Sequence, residues 1–200
     1  MSKRIAVLAF DDVEELDLVG VYEVLAKTRR MKEDGGLDID EPLQVDVLGL
    51  TEEVVCRNGL VIRPHRRSRG FAGYDILIVP GGNGVAEVVK DGALMADIWD
   101  FARQHLVCSV CTGAMVLAKA GLLEGKKATT HHEAREELRP YCEVSHERVV
   151  EDGNVITAGG ISCSLDLGLV LLERIFSREV AECVARRLAL DSLGCETQGN

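Results

Sequence analysis

Aromatic residues are scarce in this 200-residue chain: one Trp, three Tyr and four Phe, 4% in all. A core must therefore be built from Val, Leu, Ile and Ala, and an apolar content of 46% is enough for one domain of this length. Positive charge is also in deficit. Lys and Arg number 23 against 33 Asp and Glu, a formal charge of −10. That balance argues against a nucleic-acid partner, which needs a basic face, and against attraction to anionic lipid. No apolar run is long enough to span a bilayer. The opening "MSKRIAVLAF" begins like a signal peptide, but Asp11, Asp12, Glu14 and Glu15 interrupt it at once. It reads as a buried first strand, and a cytoplasmic protein is expected. No Gly-x-Gly-x-x-Gly and no Walker lysine are present, so a nucleotide cofactor is not supported. The seven cysteines, at 56, 108, 111, 142, 163, 183 and 195, lack a repeating spacing. They suit a reducing compartment rather than a disulfide framework.

Strands and helices alternate along the chain. "RIAVLAF" (4–10), "QVDVLGL" (44–50), "YDILIVPGG" (74–82) and "LVCSV" (106–110) are short apolar runs, as in strands buried on both faces. Helical spacing covers 14–30, 83–90, 92–105, 112–120, 133–139, 163–176 and 178–191. Hairpins are expected at 56–64, around Asn-Gly, and at 147–160, around Asp-Gly-Asn. A short strand is expected at 126–130. The pattern implies an α/β sandwich with a mainly parallel sheet and helices on both faces. One domain is expected over 1–192, with a frayed tail at 193–200. The polar loop 31–42 should lie at the edge opposite the strand carboxyl ends, away from an active site.

Within "LVCSVCTGAMVLAKAGLL" (106–123), Cys108 and Cys111 are three residues apart. On a strand that separation is roughly 10 Å and the side chains point to opposite faces, which disfavours a redox pair. A structural zinc would need a second close ligand pair, and only His131 and His132 offer one, so no metal is expected. Cys108 then belongs to the core. Cys111 falls at a sharp strand-to-helix turn with Gly113 behind it, the geometry of a nucleophile elbow. There a helix N-terminus should favour the thiolate, and free N–H groups can stabilise an anion. From spacing alone Cys111 either reacts or merely packs.

Asp17 shares a helical face with Val21 and Val24. It either faces solvent or is partly buried with a raised pKa, and in the second case it is a candidate acid or base beside the thiol. Asp11, Asp12, Glu14 and Glu15 read as a solvated face and helix N-terminal charges. His131, after the strand in "ATTHHEA", is either an acid–base group or a surface residue. The amides of "PGGNG" (80–84), including Gly81 and Gly82, can bind an anion or line a pocket.

Four blocks, "IAVLAFDDVEELDLVGVYEVL", "YDILIVPGG", "VCSVCTGAMVLAKAGLLEGKKATTHH" and "VITAGGISCSLDLGLVLLE", resemble the DJ-1/PfpI superfamily in order and spacing over nearly the whole chain. Cys-Thr-Gly and "ATTH" are similar to the isonitrile hydratase branch and to the amidase-like domains of AraC-type regulators. The resemblance implies a flavodoxin-like three-layer sandwich, a homodimer and a small-molecule substrate. It implies Cys111 as nucleophile, Asp17 as its acidic partner, and hydration of an isonitrile to an N-substituted formamide without metal or organic cofactor. Thr112, Gly81 and Gly82 would position the adduct, and His131 matches the family's histidine after "ATT". Thr112 stands where the peptidase and several glyoxalase-like members carry His, which argues against a protease. His132 and Val21 replace the Trp and Pro usual in isonitrile hydratases, and loop 31–42 is longer, so the substrate stays open. No helix-turn-helix follows, so a full AraC-type regulator is not expected. A redox-responsive or ligand-sensing protein is the main alternative, and glyoxalase or deglycase chemistry a third.

Overall fold

In the computed structural model residues 2–190 are described; the expected tail at 193–200 lies outside them. The elements are β1 Arg4–Ala9, α1 Glu15–Glu33, β2 Gln44–Gly49, β3 Val54–Val55, β4 Val61–Ile62, β5 Arg66–Arg67 and β6 Ile76–Val79. They continue with α2 Val85–Val88, α3 Gly92–Ala102, β7 Leu106–Val110, α4 Gly113–Lys119 and β8 Lys127–Ala128. A 3-10 turn at His132–Ala134 leads into α5 Arg135–Leu138. Then come β9 Glu143–Val144, β10 Val149–Asp152, β11 Val155–Ala158, α6 Cys163–Ile175 and α7 Arg178–Arg187.

Seven strands form one sheet in the order β10-β11-β7-β6-β1-β2-β5, parallel except for β10 against β11. The central strands β1, β6 and β7 are buried almost throughout, as their unbroken apolar runs require when helices cover both faces. Helices α1, α6 and α7 pack together, and α2 to α5 gather around α4. The result is the α/β sandwich that the alternation implied, in the flavodoxin-like form that the resemblance implied. Strand order reverses between β1 and β6, whose carboxyl ends meet the turns that carry the site.

Several boundaries differ from the sequence reading. Helix α1 runs on to Glu33, and α7 ends at Arg187 rather than 191. The hairpin ladder starts at Val54 rather than 56, with Gly59 at φ 93 in its turn. Strands β5 and β9 were not expected, because two polar or mixed residues carry no alternation to read. Loop 31–42 does lie at the amino-terminal edge. Asp40 and Glu41 there help wall a cavity of about 800 Å³ with Lys3, Asp75 and His105.

Candidate active site

Strand β7 ends at Val110, and Cys111 turns the chain with φ 55, a left-handed value uncommon for a side chain of this kind. The surroundings hold that turn. Cys111 N donates to Ala158 O at the end of β11 at 3.0 Å, and its carbonyl accepts from the buried Thr130 Oγ1 at 2.8 Å. Helix α4 starts directly afterwards, and Gly113 is needed there: a Cβ would lie 2.2 Å from Val79 O. The local sequence Cys-Thr-Gly thus folds into the expected elbow, with Cys111 at its apex and Cys108 fully buried three residues before it.

Asp17, in the first turn of α1, has no solvent exposure. Its Oδ2 accepts from Gly81 N at 2.9 Å, while Oδ1 is buried without a hydrogen-bond partner of normal geometry. Burial raises its pKa to about 7; the Gly81 hydrogen bond opposes that shift, Glu14 adds to it, and the nearby Cys111 thiol opposes it. The buried alternative for Asp17 is the one realised.

The thiol departs from expectation. Burial, followed by the charge of Asp17, pushes Cys111 up to about 12, and the Thr112 amide and hydroxyl only partly offset this. The short α4 therefore does not make a standing thiolate, because desolvation of the anion outweighs one N–H donor. The thiol thus lies beside a buried carboxyl group.

Gly81 and Gly82 also act differently from the expectation of open amides. Gly81 N is donated to Asp17, and Gly82 N to Thr112 Oγ1 at 3.0 Å. Both amides are thus engaged by side chains of the site, while Gly82 still lines the cleft. A Cβ at Gly81 would lie 2.6 Å from Thr112 Oγ1 and 2.9 Å from Asp17 Oδ2, so the loop after β6 is pressed against both. The Thr112 backbone N–H and hydroxyl are the groups that favour negative charge on the Cys111 sulfur.

Cys111 and Thr112 open on a cleft of about 610 Å³ whose walls include Gly82, His131, Arg57 and Ile161. It is smaller than the cavity at the amino-terminal edge, but it is the one that holds the thiol. His131 is a wall residue. Its Nδ1 accepts from Glu133 N at 3.4 Å, and burial, aided by Arg135 and Arg57, lowers its pKa and favours the neutral imidazole. It makes no hydrogen bond to Cys111 or Asp17 among the described residues. His132 is exposed and lies against it, ring centres 4.2 Å apart.

The acidic run after β1 proved more than a solvated face. Asp11 Oδ1 accepts from Val55 N at 2.9 Å, and the Glu15 carboxylate accepts from Asn58 N and Nδ2, both at 2.6 Å. These bonds fasten the β3–β4 hairpin beside the site and bring Arg57 and Asn58 to the cleft. Sequence reasoning missed both residues. The one signal for them was the Asn-Gly turn, which predicts a hairpin but not where it folds.

The comparisons agree with this architecture. The model of the DJ-1/PfpI family matches residues 3–174. An isonitrile hydratase from Pseudomonas putida is 35% identical over 191 residues, 94% of this chain and 78% of that protein. Protein DJ-1alpha of Drosophila melanogaster is 26% identical, over 94% of this chain and 84% of its own. Among solved structures, a ThiJ/PfpI family protein from Pseudomonas syringae superposes with a TM-score of 0.81 at 27% identity, covering 100% of this chain and 80% of that one. Drosophila melanogaster DJ-1beta gives 0.79 at 26% identity, covering 94% and 98%. With its elbow cysteine, its parallel sheet and a family match across most of its length, this chain belongs to the DJ-1/PfpI family.

Proposed function

We propose that the protein is a cysteine-dependent hydratase of a small electrophile, converting an isonitrile and water into an N-substituted formamide. The observation that carries the reading is the strained elbow thiol of Cys111 set against the fully buried carboxyl of Asp17, at the wall of a cleft. The 35% identity to an isonitrile hydratase supports the same chemistry.

An isonitrile carbon takes up a nucleophile and a proton at one atom. The Cys111 proton passes to the Asp17 carboxylate as sulfur attacks, and Asp17 returns it to that carbon, giving a thioimidate. Attraction between the departing proton and Asp17 removes the need for a free thiolate at rest. Water then adds to the carbon–nitrogen double bond. One water proton goes to nitrogen, the carbon–sulfur bond breaks, and the second water proton restores the Cys111 thiol by way of Asp17. The Thr112 N–H steadies charge on sulfur in both halves. His131 shapes the cleft wall as a neutral ring. No organic cofactor or metal enters this scheme, and a homodimer is its proposed state.

The test is formamide formation from cyclohexyl isocyanide by the wild type and by Cys111→Ala. Turnover lost in the variant, with an unchanged circular dichroism spectrum, is the expected result; turnover kept in Cys111→Ala overturns it. The second reading is a redox-responsive sensor; a gain of two oxygens on Cys111 under mild peroxide, with no turnover of an electrophile, would favour it.

A further inference from the structure

Arg57 lies in the turn of the β3–β4 hairpin. Its backbone N–H donates to Val13 O at 2.9 Å, and Val13 forms a bridge with Gly82, so this turn is tied to the frame of the site. Arg57 is exposed and lines the mouth of the cleft that holds Cys111 and Thr112, and its charge reaches His131 on the same cleft.

The other charged groups of that cleft are carboxylates: Glu14, Glu133 and Glu137. Two of them are engaged, Glu14 Oε1 with Asn58 Nδ2 at 3.5 Å and Glu133 Oε2 beside His131 Nδ1 at 3.7 Å. Arg57 forms an ion pair with none of the three among the described residues. A guanidinium offers five donors in a planar fork suited to a carboxylate. Among the described residues it is the one arginine that lines this acidic cleft, and its side chain makes no hydrogen bond or ion pair there. The surrounding carboxylates disfavour an anion elsewhere in the cleft, so Arg57 is the wall residue that would favour one; the charge of Arg135 also reaches His131.

We propose that Arg57 recognises an anionic group on the substrate, which is then a small electrophile bearing a carboxylate, such as an isocyano carboxylic acid. The assignment rests on Cys111 being the nucleophile of this cleft, as read above.

The first test needs no turnover. Cys111 is alkylated with iodoacetate and with iodoacetamide, followed by mass spectrometry of its peptide. The sulfur–carbon bond forms as the carbon–iodine bond breaks, iodide leaves, and the thiol proton goes to solvent. The ratio of the two rate constants is normalised to that of free glutathione. In Arg57→Gln the ratio falls about two- to fivefold, the effect of one exposed charge pair; Arg57→Lys falls less. Arg63→Gln, an exposed arginine outside the cleft, serves as the control for net charge. An unchanged ratio in Arg57→Gln overturns the proposal, and so does an equal fall in Arg63→Gln. The second test compares kcat/KM for isocyanoacetate and its methyl ester, where Arg57→Gln should lower the acid-to-ester ratio similarly. Absence of turnover on both, with the alkylation difference intact, removes the hydratase reading and leaves anion recognition by Arg57 standing.

Discussion

Replacing Asp17 by Asn should make the protein more stable and inactive at once, and the gain should depend on pH. Folding raises this carboxyl from its usual 3.8 to about 7, chiefly by burial. A group raised in this way keeps its proton longer in the folded chain than in the unfolded one. Its favourable contribution is complete below about pH 4, declines as pH rises, and is gone once pH passes about 7. Above that point, ionisation of the unfolded chain disfavours folding by about 4 kcal/mol relative to a group that does not titrate. The side chain has no solvent exposure, so solvent does not screen this effect. Asn keeps an oxygen for the Gly81 N–H and never ionises. It also places an NH₂ where Oδ1 now lies without a partner, at a cost of about 1–3 kcal/mol. The net expectation is a gain of about 2 kcal/mol at pH 8, turning into a small loss at pH 4. Urea unfolding followed by far-UV circular dichroism measures it, as the difference between variant and wild type at each pH. The same difference at both values would refute the reasoning, because the carboxyl would then titrate alike in the folded and unfolded chain.

Three further outcomes follow from the same geometry. Because Asp17 must be ionised to receive the thiol proton, kcat/KM should rise with pH through about 7, a limb checked by a profile from pH 5.5 to 9 that Asp17→Asn should lack. Gly113→Ala places a methyl 2.2 Å from Val79 O and 2.8 Å from Pro80 O, both backbone atoms; it should destabilise by about 2–3 kcal/mol and lower the melting temperature by several degrees. Thr130→Val removes the donor to the Cys111 carbonyl; a loss of about 1–3 kcal/mol in urea unfolding and a lower kcat are expected, with Thr130→Ser restoring both.

Much of this was legible before any coordinates. Apolar runs without alternation gave the buried parallel strands, since only a sheet covered on both faces uses such runs. The step from apolar strand to Cys-Thr-Gly marked the elbow, and an acid on the apolar stripe of α1 marked Asp17. What could not be read was charge state and long-range folding of loops. The thiol pKa depends on how much water reaches sulfur and on a carboxylate 94 positions earlier in the chain, neither of which is a local property. The partners of the Gly81 and Gly82 amides were hidden for a similar reason: the amides were visible, but their partners come from α1 and the elbow. Arg57 escaped notice because short strands of two residues carry no periodicity, and the bonds that set the hairpin beside the cleft run from Asp11 and Glu15.

The strand order also has a consequence for how the proposed activity would be acquired. Asp17, Gly81 and Cys111 follow β1, β6 and β7, which are neighbours in the sheet though far apart along the chain. Parallel neighbours cannot be closed by a tight turn, so each pairing must wait for a long crossover to be ordered. Helices α1 and α6 can gain residual structure early, but the carboxyl and the thiol meet only when the three strands lie side by side. On dilution from denaturant, helical signal should therefore return before catalytic competence, and a chain nicked between β1 and β6 can regain competence only by re-associating its pieces.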